Sequence, residues 1–157
     1  MASALSTPFS VNISPTLAAD LGTFAPQLAA FGFTLNDGTA VNCADRLYVA
    51  RRTASTSGDT LDLNSGGLLQ PDQSSFSIVE ICLMVIINRD SSINITVGGG
   101  SNAVVVVGDP IKPGGCRIWA DKADPAIPVT ASTGDILKVV SASGTPYYDI
   151  LIVGRSA

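Results

Sequence analysis

The only glutamate of this 157-residue chain, Glu80, stands inside its most apolar run and is the first side chain to invite a chemical role. A carboxylate among isoleucines and valines is desolvated, which raises its pKa and suits it to general acid work. The structural expectation is simpler: an arginine neutralises it, within the chain or across a subunit boundary, or a strand end leaves it in water. Histidine is absent. That removes the commonest general base, the Ser-His and Cys-His nucleophile pairs and the usual zinc ligand. A glycosidase needs only two carboxylates. The aspartates, however, fall largely in turn-like places: Asp37, Asp59, Asp72, Asp90, Asp109, Asp121, Asp124 and Asp135. Turn capping accounts for them. The sequence therefore predicts no enzyme, no cofactor and no metal site.

Other groups read the same way. Gly98-Gly99-Gly100 follows a strand, but a valine-rich strand comes next and no Lys-Ser or Lys-Thr pair closes a phosphate loop. A wide hairpin loop is the expectation. Asp121 and Asp124 match no calcium-loop spacing, and Lys122 lies between them. Cys43, Cys82 and Cys116 are odd in number and too far apart for a CxxC pair. They predict folding in a reducing compartment. Cys82 reads as a small buried hydrophobe. Trp119, Tyr147 and Tyr148 could form a sugar-stacking platform, with Arg117 and Trp119 on one parity and both expected to point outward. Core packing is the commoner fate of such a tryptophan. Asn12-Ile13-Ser14 and Asn94-Ile95-Thr96 are glycosylation sequons, relevant only on a secretory route.

The elements that must position these residues are strands. From about Asp45 onward the pattern is strand, turn, strand: Arg46–Arg51, Thr60–Leu63, Ser75–Asn88, Ile93–Val97, Ala103–Val107, Cys116–Ala120, Ile127–Thr130, Ile136–Ser141 and Tyr147–Val153. Val, Ile, Thr and Tyr dominate them, and Gly, Asn, Asp or Pro separate them. Regular spacing of that kind predicts an all-β antiparallel sandwich or barrel. The first forty residues differ. Pro8, Pro15 and Pro26 punctuate them, and Ser14-Pro15 could start a short helix ending near Gly22. The expectation is an irregular N-terminal arm over 1–40 and a β-sandwich domain over 41–157. Phe9, Leu17, Leu21, Phe24, Leu28, Phe31 and Phe33 are the arm's apolar anchors.

Charge and parity point outward from the fold. Charged residues make up 14% of the chain, against roughly 25% in an average soluble domain. Lysines and arginines are scattered, so no basic stripe predicts direct nucleic-acid binding. The most apolar stretch, 78–87, is too short for a membrane helix and contains Glu80. The N-terminus has no basic segment followed by a long apolar one, so no signal peptide or membrane partner is expected. In the run Phe76 to Ile87, Phe76, Ile78, Cys82, Met84 and Ile86 make one parity, and Val79, Ile81, Leu83, Val85 and Ile87 the other. Both parities are apolar, whereas a two-layer sandwich offers one inner face. Cover for the second face must come from the arm or from a neighbouring subunit. Burying it would remove about 150–250 Å² of apolar surface, worth about 4–6 kcal/mol at most.

Several stretches in order resemble small structural proteins of tailed-bacteriophage particles. They are Leu35-Asn36-Asp37-Gly38-Thr39-Ala40 with Cys43-Ala44-Asp45-Arg46-Leu47-Tyr48, an Arg-Thr strand and Leu61-Asp62-Leu63. Ile87-Asn88 with Val97-Gly98-Gly99-Gly100 follows. Ile111-Lys112-Pro113-Gly114-Gly115, Val129-Thr130-Ala131, Asp135-Ile136-Leu137-Lys138-Val139 and Tyr148-Asp149-Ile150-Leu151-Ile152-Val153-Gly154 complete the set. The resemblance implies a jelly-roll-like sandwich on the virion surface, made in the host cytoplasm. Its implied role is decoration, or cement: a homotrimer that clamps major capsid protein subunits and grips them with the arm. A tail or head-fibre component is the alternative within virions, and a glycan-binding module the alternative outside them. The arm anchors are then the expected shell contacts, and Phe76, Ile78, Glu80 and Met84 the expected trimer contacts.

Overall fold

The computed structural model describes residues 35–157 apart from Gly66, Lys122 and Asp124, together with the backbone of two short strands near the N-terminus. β-Branched and aromatic residues put their side chains on alternate faces of extended backbone, and the turns between them need residues that tolerate left-handed φ. The strands fall accordingly. They are β1 (Phe9–Ser10), β2 (Gly32–Phe33), β3 (Asn36–Asp37), β4 (Cys43–Ala44), β5 (Arg46–Thr53), β6 (Asp59–Asp62), β7 (Glu80–Asn88), β8 (Ile95–Val97), β9 (Cys116–Ala120), β10 (Ile127–Pro128), β11 (Ile136–Ser141) and β12 (Tyr147–Arg155). No helix occurs among the described residues.

Two antiparallel sheets form the body. The larger has β12 between β5 and β7, with β9 and β10 sharing the far side of β7. The smaller runs β6, β11, β8. From β5 onward, the pairing is nested. The first strand of the body pairs with the last, β5 with β12, and the second with the next to last, β6 with β11. β7 pairs with β9 and β10. β8 meets the chain at Ile111 through a reciprocal pair of backbone hydrogen bonds, 3.1 and 2.7 Å. That wrapped arrangement is a jelly roll, and it matches the all-β sandwich the sequence predicts.

The core lies between the sheets. Met84, Ile86, Tyr148, Ile150, Ile152 and Tyr48 from the larger sheet meet Leu61, Leu137, Val139, Ile95 and Val97 from the smaller. Each such side chain, fully buried, is worth about 1.5–3 kcal/mol. Phe76 and Ile78 precede β7 and join the same core.

Besides the start of β7 at Glu80 where Ser75 was expected, two expectations change. Ala103–Val107 is not a strand: Gly98, Gly99 and Gly100 all take left-handed φ, Ala103 makes only an isolated bridge to Ile136, and the valines after it make none. A Cβ on Gly98 would lie 2.6 Å from the Val105 carbonyl oxygen, so glycine is required there. Second, strict alternation along β7 breaks. Val153 faces Leu83, but its neighbour Gly154 faces Ile81, so Cys82 is an extra residue in a β-bulge. Ile81 thereby turns into the main core with Met84 and Ile86, and Cys82 joins Leu83 on the outside of the sheet.

Of the N-terminal region, β1 and β2 pair antiparallel, Phe9 with Phe33 and Ser10 with Gly32. The anchors Leu17, Leu21, Phe24, Leu28 and Phe31, and the helix expected after Ser14, lie outside the described residues. Leu35 already packs against the sheet, ahead of the boundary expected at residue 40.

Candidate interaction surface

The outer face of the larger sheet is built row by row from the pairing. Cys116, Ile87, Asp149 and Arg51 form one row; Ile118, Val85, Leu151 and Val49 the next; Ala120, Leu83, Val153 and Leu47 the third. The third row is roofed at its centre. Leu35, Ala44 and Ala126 close over Cys82, Leu83 and Val153 in a second buried cluster. The middle row is partly open among the described residues, with Val85 and Leu151 half-buried between its exposed ends. Val49 is 54% exposed and Ile118 40%. A depression of about 440 Å³ lies along it, lined by Val49, Val85, Ile87 and Leu151, with Arg51 and Asp149 at its rim.

The roof has an ionic anchor. Arg155, 1% exposed, pairs with Glu80 at 2.5 Å and donates to the carbonyls of Ala40 and Ala123. Glu80 Oε2 also accepts the Ala126 amide at 3.1 Å. One buried pair thus ties the segments carrying Ala44 and Ala126 to the start of β7. Such a pair specifies an arrangement more than it adds net stability, because both charges lose water.

The first row ends in charge. Asp149 accepts Arg51 through both carboxylate oxygens, 2.7 and 3.1 Å, and Arg89 Nε at 2.5 Å. The Arg51 hydrogen bonds, chiefly, outweigh desolvation and, with the Arg89 bond, hold the Asp149 carboxyl down to about 2. On the inner side, Asp59 of β6 binds Arg52 at 2.6 and 2.8 Å and the Tyr148 hydroxyl at 2.7 Å. This clamps one sheet to the other. Burial pushes the Asp59 carboxyl up, but the bonds from Arg52 and Tyr148 bring it below its ordinary value. Burial and the Asp59 partner push the Tyr148 hydroxyl far up, so it stays a donor.

The expected contact residues fall elsewhere. Phe76, Ile78 and Met84, at 0–1% exposure, are already enclosed by the chain's own core, and Glu80 is paired with Arg155 of the same chain. They offer no surface for a trimer. Both parities of the run were equally apolar, and the parity that faces out is the other one, through Val85 and Ile87. Val49, Leu151 and Ile118 escaped notice because each sits in a strand of ordinary pattern. Only the pairing register gathers them. Trp119 and Arg117 do share a parity, but it is the inner one: Trp119 packs on the main core with the Arg117 guanidinium 5.8 Å from its ring. Tyr148 is buried and Tyr147 exposed, so the three do not form a sugar platform. Asp62, Asp72, Asp90 and Asp121 cap turns, accepting backbone amides two or three residues on. Among the described residues, no three His, Cys, Asp or Glu side chains converge on a metal position.

No protein-family model, curated protein or solved structure matches this chain.

Proposed function

We propose that this chain is a structural protein of a tailed-bacteriophage particle, of the decoration type, that stabilises an icosahedral shell by binding major capsid protein subunits. The observation that carries the reading is the partly open apolar row Ile118, Val85, Leu151 and Val49 on the outside of the sheet. A chain with few charges leaves that row to be covered by protein. The jelly roll supports it by analogy, since viral coat proteins use the fold, though lectins do too. The ordered sequence resemblance to phage structural proteins adds to it. Shell binding would be distributed: contacts of about 800 Å² per partner, repeated over a lattice, reinforce one another.

The test is addition of the purified chain to shells that lack it. Ile118→Asp should weaken binding by tenfold or more while leaving the chain folded, because it places a charge in the row. Deleting residues 1–33 spares Leu35 and should leave a folded sandwich that no longer binds shells. Unchanged binding in both variants overturns the reading. Copy number separates the two virion roles: hundreds per particle for decoration, about a dozen for a tail or vertex part.

A further inference from the structure

We propose that the free edge of the larger sheet, β5, pairs antiparallel with β5 of a second copy about a two-fold axis at Ala50. Among the described residues, β5 pairs only with β12. Leu47 donates its amide to Gln70 Oε1 at 3.0 Å on the side away from β12. Ala54, of the opposite parity, donates back to the Pro146 carbonyl at 2.9 Å on the β12 side. Strand alternation then puts the amide and carbonyl of Val49 and Arg51 on the open edge. The exposed Val49 side chain stands beside them. An edge with available amides and an exposed valine is a template for another strand.

Arginine is a common guard on such edges, and here the arginines select a register instead. Copies related by a two-fold axis meet antiparallel. With the axis at Val49, Arg46 faces Arg52 of the second copy. With the axis at Arg51, that residue faces itself. Either places like charges directly opposite, which is destabilising. An axis at Tyr48 needs the Leu47 amide that Gln70 holds. With the axis at Ala50, Val49 faces Arg51, Tyr48 faces Arg52, and no two arginines meet. Val49 and Arg51 become the hydrogen-bonded pairs, with both bonds of each pair made. Across the axis the apolar row meets the row that ends in Arg51 and Asp149, with the Arg51 stem over Val49 of the second copy. This pairing stands independently of the virion reading and replaces the trimer contact that the buried Phe76, Ile78 and Met84 do not supply.

Light scattering on the full chain should show twice the 16.0 kDa chain mass. In a Cys116→Ser background, Ala50→Cys should form a disulfide-linked dimer under mild oxidation, because residues at a non-hydrogen-bonded pair lie within disulfide reach. Val49→Cys alone should not link, but a mixture of Val49→Cys and Arg51→Cys should. Val49→Pro removes an edge amide the monomer does not use, so it should keep the melting temperature and weaken self-association about tenfold or more. A single-chain mass at hundreds of micromolar, a three-copy mass, or self-linking of Val49→Cys in place of Ala50→Cys overturns the proposal. So does unchanged self-association of Val49→Pro. A dimer with these links that ignores shells overturns the function proposed above and leaves the pairing standing.

Discussion

Asp149 and Asp59 each hold more than one partner, and both have depressed carboxyl pKa values in the fold. Their contribution to stability is present above the unfolded carboxylate value, about 3.9, and is lost as pH falls through the folded values. For Asp149 that window closes near 2. Acid unfolding should therefore steepen below about pH 4, and Asp149→Asn or Asp59→Asn should flatten that limb in denaturant titrations against pH. At neutral pH the two should differ. Asp149 sits at the surface with exposed arginines, so its loss costs about 1 kcal/mol or less. Asp59 bridges the sheets, and its loss strands a half-buried Arg52, costing about 2–3 kcal/mol. Glu80→Gln should cost about 3–5 kcal/mol, because Arg155 keeps its buried charge and loses its partner. Replacing Glu80 and Arg155 together with Met and Leu should recover much of that. Urea midpoints measure all of these.

At the scale of elements, the bulge at Cys82 decides what each half of β7 does. Gly154 sits opposite it, where a Cβ would lie 2.4 Å from the Glu80 carbonyl oxygen and 2.9 Å from Ile78. Gly154→Ala should cost about 1–3 kcal/mol, a melting shift of about 2–4 °C per kcal/mol for a chain of this size. The strand segments were largely legible in the sequence, since β-branched residues and glycine or aspartate turns are local signals. Ser75–Val79 and Ala103–Val107 were not. Both are apolar enough for strands, yet they complete the core beside the sheets, and the left-handed glycines before Ala103 turn the chain too sharply for a ladder. Nor was the outward parity of β7 legible. One inserted residue exchanges faces, and nothing in the alternation of Ile81, Cys82 and Leu83 marks where the insertion falls. Glu80 was legible as an arginine's partner, but Arg155, seventy-five residues away, was identifiable only from the fold.

Over the whole molecule, the outer face of the larger sheet is half covered among the described residues. Leu35, Ala44 and Ala126 roof the centre of the third row, while the middle row remains partly open among the described residues. Composition announced this, since a chain with 14% charge has little to spread over a wet surface. Its location could not be announced, because the row is assembled from four strands whose partners are set by pairings as distant as Val49 with Leu151. Trp119→Ala tests the inner assignment. It should lower stability by about 2–3 kcal/mol through lost core packing, with no accompanying change in binding to a glycan array.

The nested pairing also sets an order of events. β12 follows the other described strands in sequence yet lies in the middle of the larger sheet, with β5 and β7 on either side. A ribosome-bound chain that stops before Tyr147 holds the two flanking strands but lacks the one that joins them. The apolar side chains of β5 and β7 then lack the neighbours that β12 supplies. A chain cut before Tyr147 should therefore be digested faster than the whole chain in limited proteolysis, because β5 and β7 lose the strand that joins them.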